Sequence, residues 1–145
     1  MIVADTNVIT YLLLDGTHTA SVEKLYAYDP KWVAPASWRF EMSNVLSTYC
    51  RKGSMSIEKA TEILGEATQR VASLNRQPTD ADVLRASVVY NISGYDAVFV
   101  AAAVVNDLPL VTFDGELLKK CPQHAVASHD VEKWFDDRSK RRGDK

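Results

Sequence analysis

Residues 2–13 read Ile2-Val3-Ala4-Asp5-Thr6-Asn7-Val8-Ile9-Thr10-Tyr11-Leu12-Leu13, and the change of rhythm inside that stretch decides the fold. Ile2, Val3 and Ala4 form an unbroken apolar run, the pattern of a short strand buried on both faces. After Asp5 the apolar positions Val8, Ile9, Leu12 and Leu13 fall at helical spacing. The same succession recurs at Trp32–Ala34, a strand closed by Pro35. Trp38, Met42, Val45, Leu46 and Tyr49 then follow at helical intervals up to Gly53. Residues 21–28 predict a helix with Val22, Leu25 and Tyr26 on one face. Residues 56–70 predict another, with Ile57, Ala60, Leu64 and Ala67 inward, and 71–74 a third strand. A capping-type Thr-Asp-Ala-Asp opens a helix at 79–91 that turns Val83, Leu84 and Val88 inward. Gly94 breaks the chain before 96–106, a helix apolar almost all round and therefore central. Pro109 opens a strand at 110–112, a short helix starts at Asp114, and a last strand near 125–127 precedes a helix at 130–135. Strands alternating with helices predict an α/β fold: a three-layer α/β/α sandwich around a central parallel sheet.

A chain of 145 residues suits one domain over 1–145, with a basic tail from about 138 to 145. The net charge of -2 gives no global attraction to nucleic acid. An RNA-binding role therefore requires local basic groups and acidic charge masked by cations. Cys50 and Cys121 have neither metal-motif spacing nor a disulfide framework, and read as reduced thiols. The longest apolar run, 97–105, is far short of the roughly 20 residues that span a bilayer. No basic leader precedes Ile2. The expectation is a cytoplasmic protein with no membrane partner.

Ligands of an open parallel sheet bind beyond the carboxyl ends of its strands, where strand order reverses. Asp5 ends the first strand, and Asp114 follows Leu110-Val111-Thr112-Phe113. Asp96 opens the central helix. Glu41 shares a helix side with Trp38 and Val45. Taken singly, each aspartate is explained by helix capping, and Glu41 by a stem that packs while its head reaches water. Taken together, four carboxylates converging without matching Lys or Arg repel one another unless a cation neutralises them. Oxygen-only ligands suit Mg²⁺ or Mn²⁺.

Val3-Ala4-Asp5-Thr6-Asn7-Val8 resembles the opening signature of PIN domains, and Phe40-Glu41-Met42-Ser43-Asn44-Val45-Leu46 their helical glutamate. Tyr95-Asp96-Ala97-Val98-Phe99-Val100-Ala101-Ala102-Ala103 is similar to their Asp-Ala helix, and Leu110-Val111-Thr112-Phe113-Asp114 to their closing strand. Each motif is weak alone; four in register are strong. The resemblance implies a metal-dependent ribonuclease that binds one or two divalent ions through Asp5, Asp96 and Asp114. Glu41 either binds metal directly or orients the attacking water. Thr6, Asn7, Asn44 and Thr112 are candidates to fix the carboxylates, with local capping or turn bonding as the alternative for each. Glu116, close behind Asp114 where the family often has an aromatic residue, is a possible extra acid.

Size and motif order look most like VapC-type toxins of type II toxin–antitoxin pairs. That implies an RNA substrate, a cognate antitoxin and a homodimer. Two rival readings stand beside this one. A phosphoryl-transfer enzyme using a strand-end aspartate as nucleophile would want an acid two residues after Asp5, where Asn7 stands. A nuclease-dead PIN module would have less reason to keep all four acids. His18, His124 and His129 lack ligand spacing and read as surface or capping residues; Trp32 and Trp134 read as packing residues. Arg51-Lys52 either contacts phosphate or complements a helix C-terminus, and Lys140-Arg141-Arg142 reads as a solvated tail, with nonspecific RNA contact as the lesser alternative.

Overall fold

The computed structural model describes residues 1–143. Five strands, β1 (Ile2–Ala4), β2 (Trp32–Ala34), β3 (Val71–Ser73), β4 (Leu110–Val111) and β5 (Ala125–Val126), form one parallel sheet in the order β3-β2-β1-β4-β5. The helices are α1 (Thr6–Leu13), α2 (Thr19–Tyr28), α3 (Trp38–Arg51), α4 (Ile57–Arg70), α5 (Asp80–Tyr90), α6 (Gly94–Asn106), α7 (Gly115–Lys120) and α8 (Val131–Gly143). They flank the sheet as an α/β/α sandwich, the predicted fold class.

The chain builds outward from β1 through β2 to β3, then crosses α5 and α6 and resumes on the other side with β4 and β5. Strand order therefore reverses at β1, and the crevice beyond the carboxyl ends of β1 and β4 is where such a sheet receives ligands. Val3 pairs with both Val33 and Leu110, and Ala4 with Val111. The Asp5 N–H continues this ladder to the Val111 carbonyl at 3.0 Å. Asp5 is thereby fixed by backbone at the reversal.

Ile2, Val3 and Ala4 are fully buried because sheet neighbours and helices enclose them. The central helix is α6, with Ala97, Phe99, Val100, Ala101, Ala102 and Ala103 all buried. Its run of alanines lets the helix lie close to β1 and β4, which carries the turn containing Asp96 to the end of the sheet.

Several expectations change in detail. The strand expected over 71–74 stops at Ser73, and the last strand at Val126. On α4, Ala67 is buried and Ala60 and Leu64 pack against the core as expected, but Ile57 is exposed and Ile63 is buried in its place. On α5 the capping box between Thr79 and Asp82 forms as read. Leu84 and Val88, expected inside, are 66% and 80% exposed, and Ala86 is buried. This helix carries apolar residues on both sides, and the side with small Ala86 fits against the core while the bulkier stripe faces out. The helix expected over 130–135 continues to Gly143. Arg138 and Arg142 reach the carboxylate of Asp107, and the Arg138 guanidinium lies 4.8 Å from the centre of the Trp134 ring. The residues expected to be a tail from 138 are thus helical as far as 143; 144 and 145 lie outside the described residues. Both cysteines are free. Among the described residues no single helix is long and apolar enough to cross a membrane.

Candidate metal centre

Asp5, Glu41, Asp96 and Asp114 line one groove of about 840 Å³ beyond the carboxyl ends of β1 and β4. Four elements deliver them. Asp5 joins β1 to α1, Glu41 stands in the first turn of α3, Asp96 in the first turn of α6, and Asp114 precedes α7.

Asp5 is buried and tightly held. Its Oδ1 accepts the Thr6 N–H at 2.7 Å, and its Oδ2 accepts the Thr112 hydroxyl at 2.6 Å. Asn7 Nδ2 donates to the same Oδ2 at 3.4 Å and to Thr112 Oγ1 at 3.3 Å, while Asn7 Oδ1 accepts the Phe113 N–H. Thr112 Oγ1 also accepts the Asp114 N–H at 3.0 Å. One fully buried hydroxyl therefore ties the end of β1 to the loop that carries Asp114. Thr6 Oγ1 donates to Glu41 Oε2, which orients the glutamate and leaves its other oxygen without that bond. Asn44 lines the wall without bonding to any of the four acids.

The structure shows which of these acids cap a helix. Asp114 caps α7, its Oδ1 accepting the N–H groups of Glu116 and Leu117. Asp5 caps α1 through Oδ1, while its Oδ2 is held by Thr112 and Asn7. Asp96 is different. The sequence reading starts the helix at Asp96, whereas α6 starts at Gly94 with Ser93 as its cap; Ser93 Oγ accepts the Asp96 N–H at 3.1 Å. The Asp96 carboxylate is not the cap of α6, so capping does not explain it.

Electrostatics bear the mark of uncompensated acid. Burial raises Asp5 from 3.8 to about 6 against the lowering effect of its hydrogen bonds, and the charges of Glu41 and Asp96 push it further up. Asp96 is also raised, first by burial and then by the charge of Asp114, while Ser93 and Lys120 act the other way. Among the described residues no Lys or Arg lines the groove, and exposed Asp15 adds a fifth acid. Among the described residues, no three His, Cys, Asp or Glu side chains stand close enough together to hold a metal ion by themselves. The set is thus an open one. Its donors are hard oxygens under mutual repulsion, which fits a Mg²⁺-like cation that keeps several waters and takes only one or two carboxylates directly.

Glu116 stays outside this group: it is exposed and pairs with Lys120 at 3.1 Å. Sequence reasoning missed the aromatic clamp on the 112–114 loop. His18, read as a surface or capping residue, makes no side-chain cap to α2 and stacks on Phe113 with ring centres 4.0 Å apart. Tyr11 meets both rings edge-on. Gly16 makes room for Tyr11, since a Cβ there would lie 2.6 Å from its ring. Only Phe113, beside Asp114, gave any local hint of this clamp. Ser93 was legible as the first residue of a Ser-Gly-Tyr-Asp capping pattern.

Comparison with known proteins bears on this arrangement. A family model described as the PIN domain matches residues 2–121. No curated protein matches the chain. Among solved structures, the crystal structure of PAE2754 from Pyrobaculum aerophilum superposes with a TM-score of 0.72 at 25% identity, covering 90% of this chain and 92% of that one.

Proposed function

The chain belongs to the PIN-domain family, whose members are generally metal-dependent nucleases, and from that premise we propose that it is a Mg²⁺- or Mn²⁺-dependent ribonuclease acting through Asp5, Glu41, Asp96 and Asp114. The observation that carries the proposal is the groove lined by all four acids and, among the described residues, by no Lys or Arg, at the reversal of strand order. Neither Asp96 nor Glu41 has an ion-pair partner among the described residues, so the fold holds these charges for something else.

Asp5, Asp96 and Asp114 are the residues that would hold one or two ions. A divalent cation bound there supplies an activated water and positive charge for the scissile phosphate. Thr112 keeps Asp5 and the Asp114 loop in register, so the two carboxylates do not drift apart. Glu41, fixed through Oε2 by Thr6, presents Oε1 to take the proton of the attacking water.

The motif order resembling VapC-type proteins supports a further reading, the toxin of a type II toxin–antitoxin pair. In that reading the chain is cytoplasmic, homodimeric and silenced by a cognate antitoxin. Leu84 and Val88, one turn apart on α5 and 66% and 80% exposed, favour association with a second copy. The test of the catalytic reading is cleavage of RNA by purified protein with Mg²⁺ or Mn²⁺ and its arrest by chelator. Cleavage that persists in chelator would refute it. Slowed growth of a host expressing wild type but not Asp5→Asn, rescued by the frame beside the gene, tests the toxin reading.

A further inference from the structure

The groove that holds the acids also exposes three aromatic side chains. Phe40 is 79% exposed, Tyr95 79% and Tyr49 43%, and all three line the groove wall. Phe40 directly precedes Glu41 on α3, and Tyr95 directly precedes Asp96 on α6. Each of these aromatics stands one residue from an acid, on a different helix. Tyr49 lies nine residues further along the same helix as Phe40, half a turn away around α3, so the two flank the groove from opposite sides of that helix.

We propose that Phe40, Tyr49 and Tyr95 hold the unpaired bases of an RNA strand by stacking, so that the substrate is recognised by its base faces and not by its phosphates. This rests on the ribonuclease reading above. The physical reason is the charge of the groove. Proteins that grip a nucleic-acid backbone neutralise phosphates with Lys and Arg, and none of the described residues lining this groove is one. Phosphate is tolerated only where a cation sits among the acids, so the rest of the strand must be held by contacts indifferent to charge. Every base has a π-face, and aromatic side chains bind it without regard to sequence. Bases in a duplex have those faces covered, which restricts the substrate to single-stranded or looped segments. The same mixture of acids and aromatics also suits an arginine-rich peptide, and the experiment separates the two.

Three substrates are compared in saturating Mn²⁺: a single-stranded RNA, the same strand with abasic residues flanking the cleavage point, and the RNA annealed to its complement. Wild type should cut the plain strand at least tenfold better, by kcat/KM, than the other two. Phe40→Ala and Tyr95→Ala, both at exposed positions, should each raise KM for the plain strand about tenfold with kcat within about twofold. They should leave KM for the abasic strand unchanged, and Tyr95→Phe should restore tight binding. The salt dependence of KM should be shallow, that of one or two phosphate contacts. Equal cleavage of plain and abasic strands, or alanine variants with wild-type KM, would overturn the proposal. Alanine variants that keep wild-type KM but escape inhibition by an arginine-rich peptide would assign the aromatics to peptide binding instead. A wild type that cuts no RNA with any divalent ion would refute the ribonuclease reading itself, and this proposal with it.

Discussion

Asp5→Asn gives the acid cluster a readout that needs no substrate. In the metal-free fold, burial and the neighbouring charges of Glu41 and Asp96 raise Asp5 from 3.8 to about 6. A raised folded pKa means that the native state binds more protons than the unfolded state between those two values, so stability falls as pH rises through the window. The stabilisation belonging to protonated Asp5 is complete below about pH 3.8 and lost above about pH 6. The shift corresponds to roughly 3 kcal/mol, at 1.36 kcal/mol per unit. Asparagine cannot ionise, so Asp5→Asn escapes this penalty. It also disturbs the bond from the Thr112 hydroxyl, but that cost is the same at every pH. Urea unfolding of both proteins in chelated buffers between pH 3.5 and 7.5 should therefore show the variant gaining roughly 3 kcal/mol on wild type as pH rises. Adding Mn²⁺ at pH 7 should return most of that difference to wild type, because an ion at 100 times its Kd contributes about 2.7 kcal/mol. A stability difference that stays flat with pH, or that moves in favour of wild type, would refute the claim that the groove buries Asp5 at a cost to its charged form.

Asp96→Asn should raise the melting temperature in chelator by a few degrees, since Ser93 already caps α6 and the substitution removes only a desolvated charge; the gain should vanish when Mn²⁺ is added. Thr112→Val deletes the hydroxyl that joins Asp5, Asn7 and the Asp114 N–H, and should cost about 2–3 kcal/mol in denaturant unfolding as well as most of the cleavage rate. Cleavage by wild type should rise with pH through the range near 6, because Asp5 must lose its proton to face a cation; added metal should move the midpoint down. Val88→Asp, on the exposed face of α5, should shift sedimentation from dimer to monomer while leaving circular dichroism unchanged; wild type sedimenting as a monomer would count against association through this face.

Much of the fold was legible because its strands are short, wholly apolar and bounded by turn residues. Ile2–Ala4 and Trp32–Ala34 need no tertiary information to be recognised. The faces of the helices were harder. Periodicity finds an apolar stripe, but α5 has two, and which of them is covered depends on how closely it can approach α6. Polar residues 136–143 carry no apolar signal for a helix; α8 extends over them with its guanidinium groups at Asp107, more than 30 residues earlier in the chain.

The candidate site divides in the same way. Strand-end and helix-start acids could be read from position, and the structure brings Asp5, Glu41, Asp96 and Asp114 to one groove. Glu116 has the right charge and the right neighbourhood in sequence, yet a helix turn points it to Lys120. The stack of His18 on Phe113 joins residues 95 positions apart, and no local pattern announces it.

The most direct test of the central claim is a Mn²⁺ titration, followed by calorimetry or by loss of the free-ion paramagnetic signal, of wild type, Asp5→Asn, Asp96→Asn and Asp114→Asn. Saturable binding of one or two ions by wild type, weakened at least tenfold by each substitution while circular dichroism is unchanged, is the predicted result. A wild type that binds no Mn²⁺, or variants that bind it equally well, would contradict the account.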